Sequence, residues 1–252
     1  MIPERITSRK NPLLQQVRRL TGSRRDRLAD RLFLGDGTKL LQEAVCWCDG
    51  LECVILADTL PIPALPEQVA VYQVPEDVMQ TISPMRTPQG AVFLCRMPEP
   101  QPMCLRPGTL ILDGIQDPGN LGTILRTADA LDTPVILTGA CADPYNWKTV
   151  RASMGAIFRR TPMQATQEEI VLACRQQHVP LAVTALSERA MDIRQADAGE
   201  CAVVIGSEGQ GVSPYLLASS QQEWIIPMNP HCESLNAATA AAIVMWQMKS
   251  QR

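Results

Sequence analysis

The stretch TLILDGIQDPGNLGTILRTADALDTPVILT, residues 109–138, decides the fold. Its two short apolar runs, TLILD and PVILT, predict buried strands, and LGTILRTADAL between them predicts a helix. A strand, a helix and another strand in succession form the unit from which parallel sheets are built, with helices covering both faces. The stretch therefore predicts an α/β fold.

The remainder of the second half of the chain repeats this alternation. Further strands are predicted at 181–186, 202–206 and 224–228, and helices at 167–177 and 235–248. The last helix, LNAATAAAIVMWQM, is apolar nearly all round, which predicts that it is buried. Residues 109–252 are thus expected to form a domain with a mostly parallel sheet.

The first half predicts a smaller α/β domain over residues 1–96. Apolar residues at helical spacing among basic ones predict an amphipathic helix over 11–29. Strands are expected at 31–35, 53–57, 69–74 and 91–95, and helices at 38–45 and 76–82. Residues 97–108, MPEPQPMCLRPG, contain four prolines that favour extended chain, so we place a linker there.

The composition is that of a globular protein, with 46% hydrophobic and 19% charged residues. There is no apolar run long enough for a membrane helix and no apolar core of a signal peptide, so we expect a cytoplasmic protein without a membrane partner. The nine cysteines are scattered and odd in number, which indicates reduced thiols. Their spacing does not match a zinc site, and no metal is expected.

Charge is distributed unevenly along the chain. The net charge is −3, yet residues 1–31 carry nine Arg or Lys against three acids. Concentrated positive charge suits a polyanion-binding surface, although a solvated helix face has the same composition. If the segment binds RNA, the candidate residues are Arg9, Lys10, Arg18 and Arg19.

Three loops that follow predicted strands are rich in Gly, Asn and Ser: residues 113–131, 205–213 (IGSEGQGVS) and 226–243 (IPMNPHCESLNAATAAAI). Ligands in open α/β sheets bind at the carboxyl ends of strands, so these loops predict one pocket. Neither glycine-rich loop has the Gly-x-Gly-x-x-Gly spacing of a dinucleotide site, and no Walker A sequence occurs. Spacing alone predicts an α/β enzyme with a small-molecule pocket.

In this order, the three loops resemble the three motifs of the SpoU (TrmH) family of SPOUT methyltransferases. The resemblance covers the whole catalytic half. ITSRKNPLLQQVRRL, residues 6–20, resembles the substrate-binding domain that precedes it in ribosomal RNA members. In LGDGTKLLQEA, Asp36 stands where many relatives have a glutamate. The resemblance implies a trefoil knot, S-adenosylmethionine as cofactor, methylation of a ribose 2′-hydroxyl in RNA, and a homodimer.

The same resemblance implies a set of cofactor-binding residues that act chiefly through backbone groups: Gly206, Gly211, Ile226, Met228 and Leu235. Close backbone approach would explain the glycines at 206, 209 and 211. In the homodimer, Met245 and Trp246 would belong either to the contact between subunits or to the core.

The implied catalytic residues are Asn120 and Arg126, supported by Glu208, Ser234 and Asn236. A guanidinium has a pKa above about 12 and is a poor general base at neutral pH. We therefore expect Arg126 to fix the target phosphate and polarise the 2′-hydroxyl, with Asn120 and Glu208 holding its guanidinium. Segment 143–159 also resembles the family, and it implies that Lys148, Arg151 and Ser153 line the RNA side of the pocket.

Three alternatives remain open from the sequence. Transfer RNA is the nearest rival substrate, although transfer-RNA members lack the α/β domain that precedes the catalytic half, which favours large-subunit ribosomal RNA. A second alternative is a catalytically silent RNA-binding paralogue. The third is an unrelated nucleotide-dependent oxidoreductase.

Overall fold

The computed structural model describes residues 3–229, 231, 232 and 234–251. The chain forms two compact units: the first unit is Met1–Glu99 with Asp143–Thr161, and the second unit is Pro100–Ala142 with Pro162–Arg252. Residues 143–161, whose sequence lies within the catalytic half, thus pack in the first unit. The sequence-based ranges 1–96, 97–108 and 109–252 stay a prediction.

The first unit contains a five-stranded mixed sheet in the order β1-β4-β3-β5-β2. Strands β1, β4 and β3 are parallel, while β5 runs antiparallel to both β3 and β2. The elements are β1 (Glu4–Arg5), α1 (Pro12–Gly22), α2 (Arg24–Asp30), β2 (Leu32–Asp36), α3 (Thr38–Trp47), β3 (Leu51–Ala57), β4 (Ala70–Val74), α4 (Glu76–Ile82), β5 (Ala91–Arg96), α6 (Trp147–Ala152) and α7 (Ala156–Arg159).

The single helix predicted over 11–29 is wrong, because α1 and α2 are separated at Ser23. Ser23 has extended backbone angles, and its side chain accepts a hydrogen bond from Asp26 N–H, which starts a new helix. Leu14, Val17 and Leu20 of α1 are fully buried against the sheet, as their spacing predicted.

Segment 143–161 is fixed in the first unit by a buried ion pair. Arg27 is 3% exposed, and its Nε and Nη2 donate to Asp143 Oδ2 at 3.0 and 2.6 Å. Its Nη1 donates to Leu20 O at 2.6 Å. The rings of Phe33 and Tyr145 pack with centroids 4.9 Å apart. A buried charge needs such pairing, so Arg27 and Asp143 depend on one another.

The second unit contains a seven-stranded sheet in the order β10-β12-β9-β11-β6-β7-β8. Every pairing between these strands is parallel, which confirms the α/β fold with a parallel second sheet. The elements are β6 (Leu110–Asp113), α5 (Pro118–Ala130), β7 (Val135–Thr138), β8 (Met163–Gln164), α8 (Gln167–Gln176), β9 (Leu181–Thr184), β10 (Met191–Asp192), β11 (Ala202–Gly206), α9 (Pro214–Ser219), β12 (Gln222–Ile225) and α10 (Ala237–Ser250).

Helix α10 is buried on one face only. Ala241, Val244 and Met245 are fully buried, whereas Ile243 is 37% and Trp246 is 65% exposed. The prediction that the whole helix is buried is therefore wrong for this face of the single chain. The trefoil knot stays a prediction, because Pro230 and Glu233 of the third loop lie outside the described residues.

Candidate active site

The carboxyl ends of β6 and β11 lie side by side, because the two strands pair in parallel with Asp113 opposite Gly206. The loops that follow them therefore start at the same edge of the sheet, as predicted. The first loop leads into α5, whose start is fixed by Asp117 and Pro118: the Asp117 side chain accepts a hydrogen bond from Asn120 N–H at 2.7 Å.

Three side chains from the three predicted loops form one group, the carboxylate–amide cluster of Asn120, Glu208 and Asn236. Glu208 Oε1 accepts hydrogen bonds from Asn120 Nδ2 at 2.8 Å and from Asn236 Nδ2 at 3.0 Å. It also accepts one from Ala237 N–H at 3.0 Å. Asn236 Nδ2 further donates to Asn120 Oδ1 at 3.0 Å. The structure thus brings together residues that are 116 positions apart.

Asn236 is held in this cluster by a second role at the start of α10. Its Oδ1 accepts hydrogen bonds from Ala238 N–H and Thr239 N–H, at 3.0 and 3.3 Å, and so caps the helix. The amide oxygen of Asn236 thus accepts from the first N–H groups of α10, while its amide nitrogen donates to Glu208. The orientation of the amide is therefore fixed on both sides.

A cavity of about 620 Å³ lies against Glu208. It is lined by all five residues predicted to bind a cofactor and by two of the predicted catalytic residues: Gly206, Gly211, Ile226, Met228, Leu235, Glu208 and Ser234. Asn120 and Asn236 do not line the cavity, and both bond to Glu208, which does. The predicted strand-end pocket is therefore present in the second unit.

The sequence reasoning missed one wall of this cavity, which comes from the loop after β9 and from β12. Ser187, Arg189 and Glu223 line it. Glu223 receives a hydrogen bond from the Ser187 hydroxyl and an ion pair from Arg189 at 3.2 Å. Strand β9 pairs with β11, so the strand-end rule itself could have located this loop.

The structure requires glycine to different degrees at positions 206, 209 and 211. A Cβ on Gly206 would lie 2.0 Å from the Gly211 carbonyl carbon, so the loop's own backbone excludes any larger residue. Gly211 has φ +68°, which favours glycine. A Cβ on Gly209 would meet no described residue within 4 Å, and its φ is not positive, so the described residues alone do not require glycine there. The protein's own backbone thus accounts for glycine at 206 and 211, and close approach of a ligand stays a prediction.

Arg126 makes no hydrogen bond to the carboxylate–amide cluster in the described chain. It is exposed on α5, and it makes no hydrogen bond or ion pair within the part of the chain that the structure describes. Asn120 and Arg126 are six residues apart, which places them about 120° apart around the helix. The expectation that Asn120 and Glu208 hold the guanidinium is therefore wrong in this structure, since both bond to each other and to Asn236.

The basic residues predicted to bind RNA in the first unit are mostly engaged with their own protein. Arg9 pairs with Asp77, and Arg19 pairs with Asp30 at 2.6 Å. Arg18 donates to Thr81 Oγ1 at 2.8 Å, to Thr81 O and to Arg9 O. Lys10 is exposed, and its ammonium has no bonding partner among the described residues.

The three candidates on α6 differ from one another. Lys148 is exposed, with its Nζ 5.7 Å from the centre of the Trp147 ring. Arg151 is half-buried and donates to Met85 Sδ. Ser153 is fully buried, and its hydroxyl donates to Val150 O at 2.7 Å, so this structure does not present it to RNA.

Asp36, which takes the place of the family's glutamate, is 7% exposed at the end of β2. Burial raises the pKa of its carboxyl, while the Ser83 hydroxyl, which donates to Oδ2 at 2.6 Å, and the charge of Arg151 lower it. Asp36 is thus a structural acid inside the first unit and not an exposed ligand.

The described residues lack both a cluster of metal-ligating side chains and a helix that could span a membrane. They contain no group of three or more His, Cys, Asp or Glu side chains arranged to hold a metal ion. None of their helices combines the length and the apolarity needed to cross a membrane.

Comparison with known proteins gives the chain a family. The SpoU rRNA Methylase family matches residues 107–246, and the MRM3-like substrate binding domain matches residues 11–92. A 23S rRNA (guanosine(2553)-2′-O)-methyltransferase, RlmP, of Bacillus subtilis is 31% identical over 250 residues, which cover 98% of this chain and 99% of the relative.

Solved structures agree over nearly the whole chain. A putative RNA methyltransferase of the TrmH family from Porphyromonas gingivalis is 30% identical with a TM-score of 0.86, covering 96% of this chain and 99% of that one. An AdoMet-bound rRNA methyltransferase from Sinorhizobium meliloti is 28% identical with a TM-score of 0.85, covering 98% and 97%. The chain therefore belongs to the SpoU rRNA methylase family.

Proposed function

We propose that the chain transfers a methyl group from S-adenosylmethionine to a ribose 2′-hydroxyl of large-subunit ribosomal RNA. The observation that carries the proposal is the cavity whose wall includes Glu208, with Asn120 and Asn236 bonded to that carboxylate. The names of the relatives, which act on ribosomal RNA, support the substrate, as does the match of residues 11–92 to a substrate-binding domain.

The cavity fits the cofactor in size and charge. Its volume of about 620 Å³ falls within the range of about 300–1,000 Å³ typical of small-molecule sites. Its wall carries the carboxylates of Glu208 and Glu223 and the guanidinium of Arg189. These charges complement the sulfonium, ammonium and carboxylate groups of S-adenosylmethionine. When bound, the cofactor supplies an electrophilic methyl group on a good leaving group.

The residues of the chain position the two reactants. Gly206, Gly211, Ile226, Met228 and Leu235 would hold the cofactor in the cavity. The carboxylate–amide cluster fixes the side chain of Glu208 with three N–H donors before RNA binds. Such preorganisation lowers the barrier, because the orientation is established in advance.

In this proposal, the guanidinium of Arg126 binds the RNA substrate. Its guanidinium is exposed and has no bonding partner within the described residues, so its five N–H donors are available to a phosphate. A permanently protonated guanidinium polarises the 2′-hydroxyl but does not remove its proton.

The RNA surface of the first unit is formed by its exposed cations without internal partners. Lys10, Arg24, Arg25 and Lys148 have exposed side chains and no hydrogen bond or ion pair from their charged groups in the described chain. Trp147 beside Lys148 adds an aromatic ring of the kind that stacks on RNA bases. Arg9, Arg18 and Arg19 contribute less, since internal bonds already hold them.

The functional unit is a homodimer in the cytoplasm. The exposed apolar face of α10, with Ile243 and Trp246, supports the dimer, because a large exposed apolar patch favours burial against a partner. A Trp246→Lys substitution is expected to give monomers in analytical ultracentrifugation.

Methyl transfer to RNA tests the proposal. The protein is incubated with labelled S-adenosylmethionine and RNA from cells that lack the gene, and labelled positions are mapped by their resistance to alkaline cleavage. The expected result is label at a 2′-oxygen of 23S rRNA. Label on transfer RNA would favour that rival substrate, and label on a base would refute the ribose assignment. Cofactor binding without transfer to any RNA would favour a silent paralogue.

A further inference from the structure

The segment between β11 and α9, residues 207–213, is called the glycine loop here, and it forms a wall of the cavity. It is closed on itself: Ser207 N–H donates to Gly211 O at 3.1 Å, and Gly211 N–H donates to Ser207 O at 2.9 Å. Gly206 packs directly on the backbone of Gly211 and Val212. A loop tied in this way moves as a unit, so its position depends on what holds its far end.

Asp113 holds that end. It is 5% exposed at the last position of β6, and its Oδ2 accepts a hydrogen bond from Ser213 N–H at 2.7 Å. The backbone of Asp113 pairs with Gly206, where the loop begins. One residue therefore connects both ends of the glycine loop to the edge of the sheet.

The surroundings of Asp113 are polar but carry no opposite charge. Gln167 Nε2 donates a second, longer hydrogen bond, to Asp113 Oδ1 at 3.4 Å. Thr138, the cross-strand neighbour of Asp113, and Ser213 have buried hydroxyl oxygens that find no hydrogen-bond partner among the described residues. No ion pair reaches Asp113 within the described residues. Burying a carboxylate without a cation is costly, so the hydrogen bonds that Asp113 accepts have to offset that cost.

We propose that Asp113 is a positioning residue that holds the glycine loop in the conformation in which Gly206, Glu208 and Gly211 meet the cofactor. This inference rests on the proposed function. A charged acceptor forms a shorter and stronger hydrogen bond than a neutral one, which explains a carboxylate at this position. Asp113 does not line the cavity, so its loss acts through the glycine loop: it weakens cofactor binding and also shifts Glu208, which the loop carries.

The test compares Asp113→Ala, Asp113→Asn and Thr138→Val in the full-length protein. Titration calorimetry with S-adenosylmethionine gives the Kd, and steady-state methyl transfer gives kcat and both KM values. Asp113→Ala removes a hydrogen bond to a charged group, and it is expected to raise the Kd and the KM for the cofactor at least about tenfold. The value of kcat should fall as well, because Glu208 moves with the glycine loop, whereas the KM for RNA should stay within about twofold of wild type.

Asp113→Asn keeps an oxygen that can accept from Ser213 N–H, so it should recover part of the affinity. Thr138→Val removes a neighbouring hydroxyl that has no hydrogen-bond partner in the described part of the chain, so this variant should bind the cofactor like wild type. If Asp113→Ala fails to fold, the Kd of Asp113→Asn for S-adenosylmethionine provides the test. A raised Kd supports the inference, and an unchanged Kd overturns it. An unchanged Kd in folded Asp113 variants overturns the inference alone, whereas a wild-type protein that binds no cofactor overturns the proposed function with it.

Discussion

The carboxylate–amide cluster of the second unit and the basic segment of the first unit, residues 1–31, differ in how their polar side chains are bonded. Asn120 and Asn236 both bond to Glu208, beside a cavity. In the basic segment, Arg9 and Arg19 pair separately with acids of other elements. Bonds that converge on one group preorganise a site, whereas scattered bonds reduce the charge available to a partner. Polar residues whose bonds converge on one group therefore indicate a functional site, whereas a high number of charged residues in a segment does not by itself.

The largest expected effect is the loss of stability when a buried arginine of the basic segment is replaced, compared with the loss for an exposed one. Arg27→Ala leaves Asp143 buried without its cation, and it should lower the free energy of unfolding by about 3–5 kcal/mol. Arg19→Ala, which breaks an exposed pair with Asp30, should cost at most about 1 kcal/mol. Urea unfolding of both variants provides the measurement. Equal losses would show that burial does not distinguish the two pairs.

The next effect concerns the glycine loop. Gly206→Ala places a methyl group against the backbone of Gly211 and Val212, so it should cost about 1–3 kcal/mol of stability and weaken cofactor binding about tenfold or more. Gly22→Ala, at the end of α1 in the first unit and with open space among the described residues around its Cβ, is the control and should bind like wild type. Calorimetry with S-adenosylmethionine measures both. Similar affinities in the two variants would contradict the assigned role of Gly206.

A smaller effect tests the difference between free and engaged cations. The double variants Arg24→Gln/Arg25→Gln and Arg9→Gln/Arg18→Gln each remove two positive charges. If the first pair contacts phosphates, its loss should reduce the slope of log Kd against log salt by about 1.4, at about 0.7 per contact with single-stranded RNA. The second pair should reduce it by less than half as much. Equal slopes would mean that internal pairing does not limit RNA contact.

The smallest effect concerns Asp36. Because burial raises its pKa in the folded state above the ordinary value of 3.8, ionised Asp36 costs stability at neutral pH. That cost disappears as the pH falls toward 3.8, so wild type should gain stability relative to Asp36→Asn between pH 7 and pH 4.5. Urea unfolding across this range measures the difference. A relative loss of stability at low pH would reverse the sign and refute this explanation.

The sequence predicted those parts of the structure that depend on local pattern. Helix α4 lies at the predicted residues, and the three loops meet at one sheet edge because parallel strands end together. The break at Ser23 was missed, because apolar spacing continues through it while a side-chain cap ends the helix. The partners of Arg9 and Arg19 come from distant or separate elements, so charge counting could not show that these arginines are engaged.

The carboxylate–amide cluster was located by its motifs, but its hydrogen bonds were not. Family resemblance placed Asn120, Glu208 and Asn236 near one another, while only the structure shows that Glu208 Oε1 receives three N–H donors. The expected bonds from Asn120 and Glu208 to the Arg126 guanidinium are not found, because Asn120 and Glu208 bond to each other and to Asn236, and six helical residues place Arg126 about 120° from Asn120 around α5. Side-chain direction around a helix therefore limits what a motif can predict.

The central claim is that the carboxylate–amide cluster forms the methyl-transfer site. Single-turnover transfer from saturating S-adenosylmethionine to 23S rRNA, measured for wild type, Glu208→Gln and Glu208→Ala, tests it most directly. Glu208→Ala removes the acceptor shared by Asn120 and Asn236 and should slow transfer at least about 100-fold, while Glu208→Gln, which keeps an acceptor oxygen, should lose less. Transfer by Glu208→Ala at a rate within about threefold of wild type would contradict the claim.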